Sequence, residues 1–353
     1  MNNSGIRQHP VAPWFTDWLT PLWQKERVWF VSAAILALLF ALAPAQGAAS
    51  AQFTLNNLIT TAPYLVLSIG LAAYAGASGA DNLIARAFSG SPVRMIFLAA
   101  LAGGLSPFCS CGVIPLIAAL LTMGVPLSAV MAFWLASPIM DPSMFMLTAG
   151  VLGSEFAIAK TLAAVGIGML GGAVTHLIVR GGGLPLPLRE GVGNGGCGGG
   201  KVRVAKPVVW RFWVEPERLS KFWREAVKTT LFLAKWLTLA FLLESLMLAY
   251  VPAEWISSAV GGAGIGSIAL ASLVGVPAYL NGYAALPLVS GLMTQGMAGG
   301  AGMAFLVAGG VTSLPAAIAV FALVRRPVFA LYIALSLSGA FLTGLLFQLW
   351  LAV

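Results

Sequence analysis

The sequence predicts an all-α polytopic membrane protein, built as an inverted-topology repeat whose halves contain broken, reentrant helices. Three observations carry that reading: the composition, an internal repetition, and two apolar tracts interrupted by glycine and proline. Of 353 residues, 59% are hydrophobic and 8% charged, with mean hydropathy +0.93. A water-soluble fold would lack the polar side chains to cover its surface.

Unbroken apolar stretches run over Val28–Ala45, Phe53–Ala77, Thr161–Val179, Val227–Tyr250 and Val328–Leu349. Each is close to the roughly 20 residues that cross a bilayer as a helix. Ala43-Pro44-Ala45 looks like a signal-peptide cleavage site, but the polar leader Met1–Arg27 is long for one, so an uncleaved first helix is expected. The chain then divides into a leader and first helix (1–52), a first membrane repeat (53–179), a basic loop with an amphipathic segment (180–225) and a second, inverted repeat (226–353).

The tracts Val93–Leu152 and Trp255–Val324 are equally apolar but punctuated, and predict half-helices and reentrant hairpins. Hydrocarbon offers no partner to a free backbone N–H or C=O, so a helix broken at depth must be packed in protein or line a polar cavity. Many transporters build their solute sites from such breaks near the midplane. The sharpest break is Leu105-Ser-Pro-Phe-Cys-Ser-Cys-Gly-Val-Ile-Pro115, which holds two of the three cysteines.

Displaced by 172 positions, Pro115–Ala136 matches Pro287–Ala308 at ten of 22 places, including Met131-Ala132-Phe133. A two-residue gap also aligns Pro107 with Pro277 and Gly112 with Gly282, which pairs the break carrying Cys109 and Cys111 with one carrying Tyr279 and Asn281. Two related halves are implied. Loop charge orients them. Arg86 and Arg94 place the loop after Phe53–Ala77 inside, whereas the loop after Val227–Tyr250 carries only Glu254 and reads as outside. Arg325 and Arg326 put the start of the last helix inside, while the matching segment around Glu155 and Lys160 has no net charge and reads as an outer loop. The halves are therefore inverted.

The formal charge of +8 does not imply nucleic acid, because 10 of the 19 Lys and Arg lie between Arg180 and Lys228, outside the apolar segments. That cluster is the positive-inside signal of a cytoplasmic loop. Its aromatics from Trp210 to Trp223, interleaved with Arg211, Arg218, Lys221 and Arg224, suit the membrane interface. The glycine run at Gly195–Gly200 lacks the Gly-Lys-Ser/Thr ending of a phosphate loop and reads as a linker. His9 and His176 reach no metal-ligand spacing, so neither a metal centre nor a cofactor is expected.

Ser106-Pro-Phe-Cys-Ser-Cys-Gly-Val-Ile-Pro115, followed by Ala136-Ser-Pro-Ile-Met-Asp-Pro142 and Thr312-Ser-Leu-Pro315, resembles the predicted permeases related to the trivalent organoarsenical efflux permeases. The resemblance covers most of Phe53–Val353 and implies a multi-pass permease of the bacterial inner membrane, with organoarsenical export as the best-known activity. It marks Cys109, Cys111, Ser137, Asp141 and Ser313 as candidate site residues, and Ser110, Gly112 and Thr312 share their motifs. It does not fix the solute. The cytoplasmic loop of such permeases often holds a cysteine cluster; this one has only Cys197.

The residue chemistry stands beside that resemblance. Cysteine sulfur prefers soft acceptors such as Cu(I), Hg(II) and trivalent arsenic, so Cys109 and Cys111 suit a thiophilic solute. Free amides at the start of Val113–Met123 favour a thiolate, or an oxyanion or sulfur-containing anion as solute instead, through the positive end of the helix. The plain alternative is that both are small packing residues. Asp141 is the sole acid between Asp81 and Glu155. Two readings compete for it, a coupling or solute-binding group at depth and a helix cap ahead of Pro142. Glu244, within Val227–Tyr250, is the other coupling candidate, against a wet interfacial residue; Lys235 is expected to snorkel. The expected partners are the lipid bilayer and a small thiophilic or anionic solute. The oligomeric state leaves no mark in the sequence. A membrane thiol oxidoreductase is the competing class, disfavoured because no second dithiol or cofactor site relays its electrons.

Overall fold

A computed structural model describes residues 14–79, 91–106, 110–184, 187–189, 209–250, 264–278 and 282–352. Among them the regular structure is helical: α1 (Trp14–Leu42), α2 (Pro44–Ser78), α3 (Pro92–Gly104), α4 (Ser110–Thr122), α5 (Leu127–Ala136), α6 (Pro142–Leu152), α7 (Ser154–Arg180), α8 (Pro216–Tyr250), α9 (Ile265–Ala278), α10 (Gly282–Thr294), α11 (Gly299–Thr312), α12 (Leu314–Leu323) and α13 (Arg326–Leu351). Proline in the first turn starts α2, α3, α6, α12 and α13, where its missing N–H is one that a helix start leaves unpaired anyway. The long helices α2, α7, α8 and α13 are apolar enough to cross a membrane, as is the run Gly299–Leu323 taken across α11 and α12. The punctuated tracts fold as helices of 10 to 14 residues, too short to cross singly.

The displacement of 172 governs the chain from α2 to α13. It carries Pro44–Ser78 onto Pro216–Tyr250 and Ser110–Thr122 onto Gly282–Thr294, and the first residues of α5, α6 and α7 onto those of α11, α12 and α13. Helices α2–α7 thus recur as α8–α13. Local chemistry recurs with them. Gly124 (φ 87°) ends α4 and Gly296 (φ 105°) ends α10, each in the left-handed region that glycine enters without steric cost. The following residue closes the same loop in both halves: Val125 N–H donates to Leu120 O and Met297 N–H to Leu292 O, each at 3.0 Å.

Close packing repeats too. A Cβ on Gly172 would fall 2.7 Å from Ile96 and 2.9 Å from Ala132, and one on Gly344 2.9 Å from Ile268 and 2.7 Å from Ala304. Both α3–α5–α7 and α9–α11–α13 are therefore held by backbones that approach where no side chain intervenes, the usual way helices associate in lipid. The two-residue gap of the sequence alignment is not needed. A Cβ on Gly103 would sit 2.6 Å from the Phe133 carbonyl oxygen, and one on Gly275 2.7 Å from that of Phe305. Register before the breaks is the same 172, so Cys109 corresponds to Asn281 and Pro107 to Tyr279. The gap matched prolines and glycines, which answer to local backbone needs, whereas small-residue packing holds the register.

Equivalent long helices run antiparallel, which makes the repeat inverted. At one end of the α2–α8 pair, Arg218 donates to Ala77 O and Ser78 O, both at 3.1 Å, and Lys221 donates to Gly76 O. These cations satisfy carbonyls that the end of α2 leaves open. In the α7–α13 pair, Trp350 Nε1 donates to Glu155 at 2.6 Å, and the Phe156 and Phe347 rings meet at 5.0 Å. Further along, a Cβ on Gly339 would lie 3.0 Å from Ile167. Ile167 and Gly339 are themselves 172 apart, so the pseudo-two-fold axis passes where α7 and α13 cross. Beyond α7, Leu188 bridges Val324, Arg189 Nε donates to Val324 O at 2.9 Å, and its guanidinium lies 4.4 Å from the Phe321 ring centre. Outward faces carry Leu38, Leu162, Leu177, Leu346 and Trp350, exposed as lipid contact requires. The interfacial segment is a short turn, Phe212–Val214, leading into α8, with Trp213 and Trp223 exposed and Phe212 buried against Tyr74 and Phe222.

Candidate functional site

Each half packs its short helices against a short helix of the other half. Helix α4 packs on α12, and α10 packs on α6. The first half's polar residues gather at the α3 end and the α5–α6 junction. Ser106, just after α3, donates to Gly103 O at 2.7 Å, and its oxygen lies 2.6 Å from Ser137 Oγ. A hydroxyl has one proton, so Ser137 is the donor in that contact. Both side chains are buried. Ser106 belongs to the break motif but lay outside the expected site; its link to Ser137 needs the tertiary fold.

Asp141 caps α6. Its Oδ1 accepts from Ser143 N–H at 2.8 Å, Ser143 Oγ at 2.5 Å and Met144 N–H at 2.9 Å, ahead of Pro142. That is the capping geometry of the two readings offered by the sequence. Ser313 holds the equivalent N-cap position at the start of α12 and is buried. Thr312, fully buried, donates back to Ala308 O at 2.8 Å within α11. Gly112 is buried in α4.

Cys109, Tyr279 and Asn281 lie outside the described residues, as does Cys197, and of Ser110 and Cys111 the backbone alone is described, in the first turn of α4. Among the described residues no three His, Cys, Asp or Glu side chains group as metal ligands.

Two buried ionisable side chains lie within the long helices. Glu244 on α8 is 2% exposed, and its Oε2 has no hydrogen-bond partner. Lys160 is not a loop residue, as its polar neighbourhood suggested, but stands in the second turn of α7, 1% exposed, with Nζ also lacking a hydrogen-bond partner. Asp141 acts on it as an opposite charge. Helical periodicity was the available signal: counting back from Ala164, Gly168 and Gly172 puts Lys160 on the buried face of α7. Its equivalent in the second half is Tyr332, also 1% exposed, which donates to Val311 O and stacks on Trp134 at 4.5 Å.

A groove of about 880 Å³ runs between α7 and α13, lined by Ile158, Leu162, Leu170, Leu342 and Leu346 with Glu155 and Trp350 at one end. Its lining is almost wholly apolar and holds none of the candidate residues.

Over 104 residues the chain is 32% identical to the UPF0718 protein YcgR of Bacillus subtilis (strain 168), a match covering 30% of this chain and 35% of that protein. The chain thus spans about a third of that relative's length. No solved structure matches. A family described as predicted permease matches residues 48–349, which takes in both halves from α2 through most of α13. With paired halves, lipid-facing helices and that match over most of its length, the chain belongs to the predicted permease family and is a multi-pass membrane protein.

Proposed function

We propose that this permease exports a thiophilic solute, such as a trivalent organoarsenical, across the bacterial inner membrane through a site where the two halves meet. The carrying observation is the reciprocal packing of α4 on α12 and α10 on α6, which sets the helix after each break against the opposite half. Rocking one half against the other then exposes the breaks to alternate sides. In this reading Cys109 and Cys111 supply soft donors, with Ser110, Gly112, Ser137, Thr312, Ser313, Tyr279 and Asn281 around them. Glu244, an acid buried with its Oε2 unpartnered, is the better coupling group. Asp141 is committed to its cap and to the charge of Lys160.

Everted membrane vesicles test this directly, with a panel of organoarsenicals, arsenite, Hg(II), Cu(I), thiosulfate and sulfate, assayed with and without a proton gradient. Gradient-dependent uptake of the thiophilic species, lost in the double variant Cys109→Ser/Cys111→Ser at unchanged membrane level, is the expected result. Wild-type transport by that variant overturns the role of the thiols.

A further inference from the structure

We infer that Lys160 and Thr148 form an anion-recognition point, so that the solute this permease carries bears a negative charge as well as a soft atom. The inference rests on the transport reading above and names the solute's charge. Lys160 has three N–H donors and is 1% exposed, yet Nζ meets no hydrogen-bond acceptor. Thr148, on the buried face of α6, is fully buried and its Oγ1 is likewise unpartnered. Helices α6 and α7 pack together through the turn at Gly153. Thr148 stands five residues before that turn and Lys160 seven after it, which puts their heights within about 3 Å at 1.5 Å per residue. Two buried donor groups at similar height in this hairpin are thus without an acceptor.

Asp141 does not fill that need. Its Oδ1 already takes three donors at the start of α6, and it acts on Lys160 as a charge rather than as a hydrogen-bond partner. The second half shows what a satisfied version looks like. At the equivalent position Tyr332 donates to the carbonyl of Val311, the last turn before the α12 junction. Ile139 is the counterpart of Val311, but Lys160 makes no such bond. The first half therefore keeps an ammonium whose donors are unmet, a costly arrangement at membrane depth. An incoming anion with oxygen or sulfur acceptors supplies what is missing, and charge-assisted bonds to it are the strong kind.

The test is equilibrium binding of radiolabelled thiosulfate and of phenylarsine oxide, an uncharged thiophile, to the full-length protein in lipid nanodiscs. Lys160→Met is expected to lower the ratio of thiosulfate to phenylarsine oxide affinity at least tenfold, and Lys160→Arg to hold it within about threefold. Asp141→Asn keeps the cap and removes the opposing charge, so it should tighten thiosulfate binding. Thr148→Val should weaken it severalfold. An unchanged ratio in Lys160→Met, or no gain in Asp141→Asn, overturns the proposal, as does a wild-type protein that binds phenylarsine oxide but not thiosulfate. Should Lys160→Met unfold in a melting assay, the Asp141 and Thr148 variants decide. Failure of the thiophilic reading looks different: phenylarsine oxide does not bind the wild type, while thiosulfate still depends on Lys160.

Discussion

Single residues hold the register of this fold where backbone meets backbone. Gly103 and Gly275 face the carbonyls of Phe133 and Phe305 at distances no real Cβ tolerates. Replacing Gly103 with Ala should cost about 1–3 kcal/mol through forced separation of α3 and α5. Gly70→Ala, in α2 with nothing within 4 Å of the new methyl, should be neutral or stabilising by up to about 1 kcal/mol. Thermal unfolding in detergent checks the contrast, and equal melting temperatures would refute the close-approach account. Lys160 shows where reading by residue stopped short. Its neighbours Ser154 and Glu155 are polar, so a hydropathy window opens the span at Thr161 and leaves the lysine in a loop. The helix begins at Ser154 because Gly153, at φ 96°, turns the chain there.

Helices and their pairing were more legible, because lipid imposes the pattern. Four of the five unbroken apolar runs lie in long crossing helices and the interrupted tracts in short pairs, while Val28–Ala45 divides at Leu42 between α1 and α2, and the Met-Ala-Phe match announced the repeat. What sequence identity missed was the full reach of the repeat. Ile96, Ala132 and Gly172 correspond to Ile268, Ala304 and Gly344, but such residues are too common in an apolar chain to stand out until packing joins them. The chemistry of the breaks was legible as residue types alone. The crossing of α7 and α13 is the element-scale claim most open to test. In a background lacking the native cysteines, Ile167→Cys with Gly339→Cys should cross-link under mild oxidation, since a Cβ at 339 meets the Ile167 side chain at 3.0 Å. Moving the second cysteine to Leu346, exposed two turns away, should abolish the link. Equal yields at both positions would rule out the antiparallel register.

At the scale of the molecule, opposed helix directions set a topology. The ends of α7 and the start of α13 share one side through the Leu188–Val324 bridge, and Arg180, Arg189, Arg325 and Arg326 gather there. That side is expected to be cytoplasmic by the excess of Lys and Arg in its loops. Reporter fusions after residue 189 and after Val353 should therefore be active on opposite faces of the membrane, the first inside. Activity of both on one face would overturn the inverted arrangement.

Because Ile167 and Gly339 are each other's counterparts, exchanging the conformations of the two halves maps their contact onto itself. Under a rocking mechanism that contact is made equally in the inward-open and outward-open forms. A link between the two positions therefore holds neither end state over the other. Lys160 and Tyr332 act differently: they are unlike groups set in unlike contacts, so under the same mechanism they make the two end states unequal and bias the resting protein to one side before any solute or gradient is present.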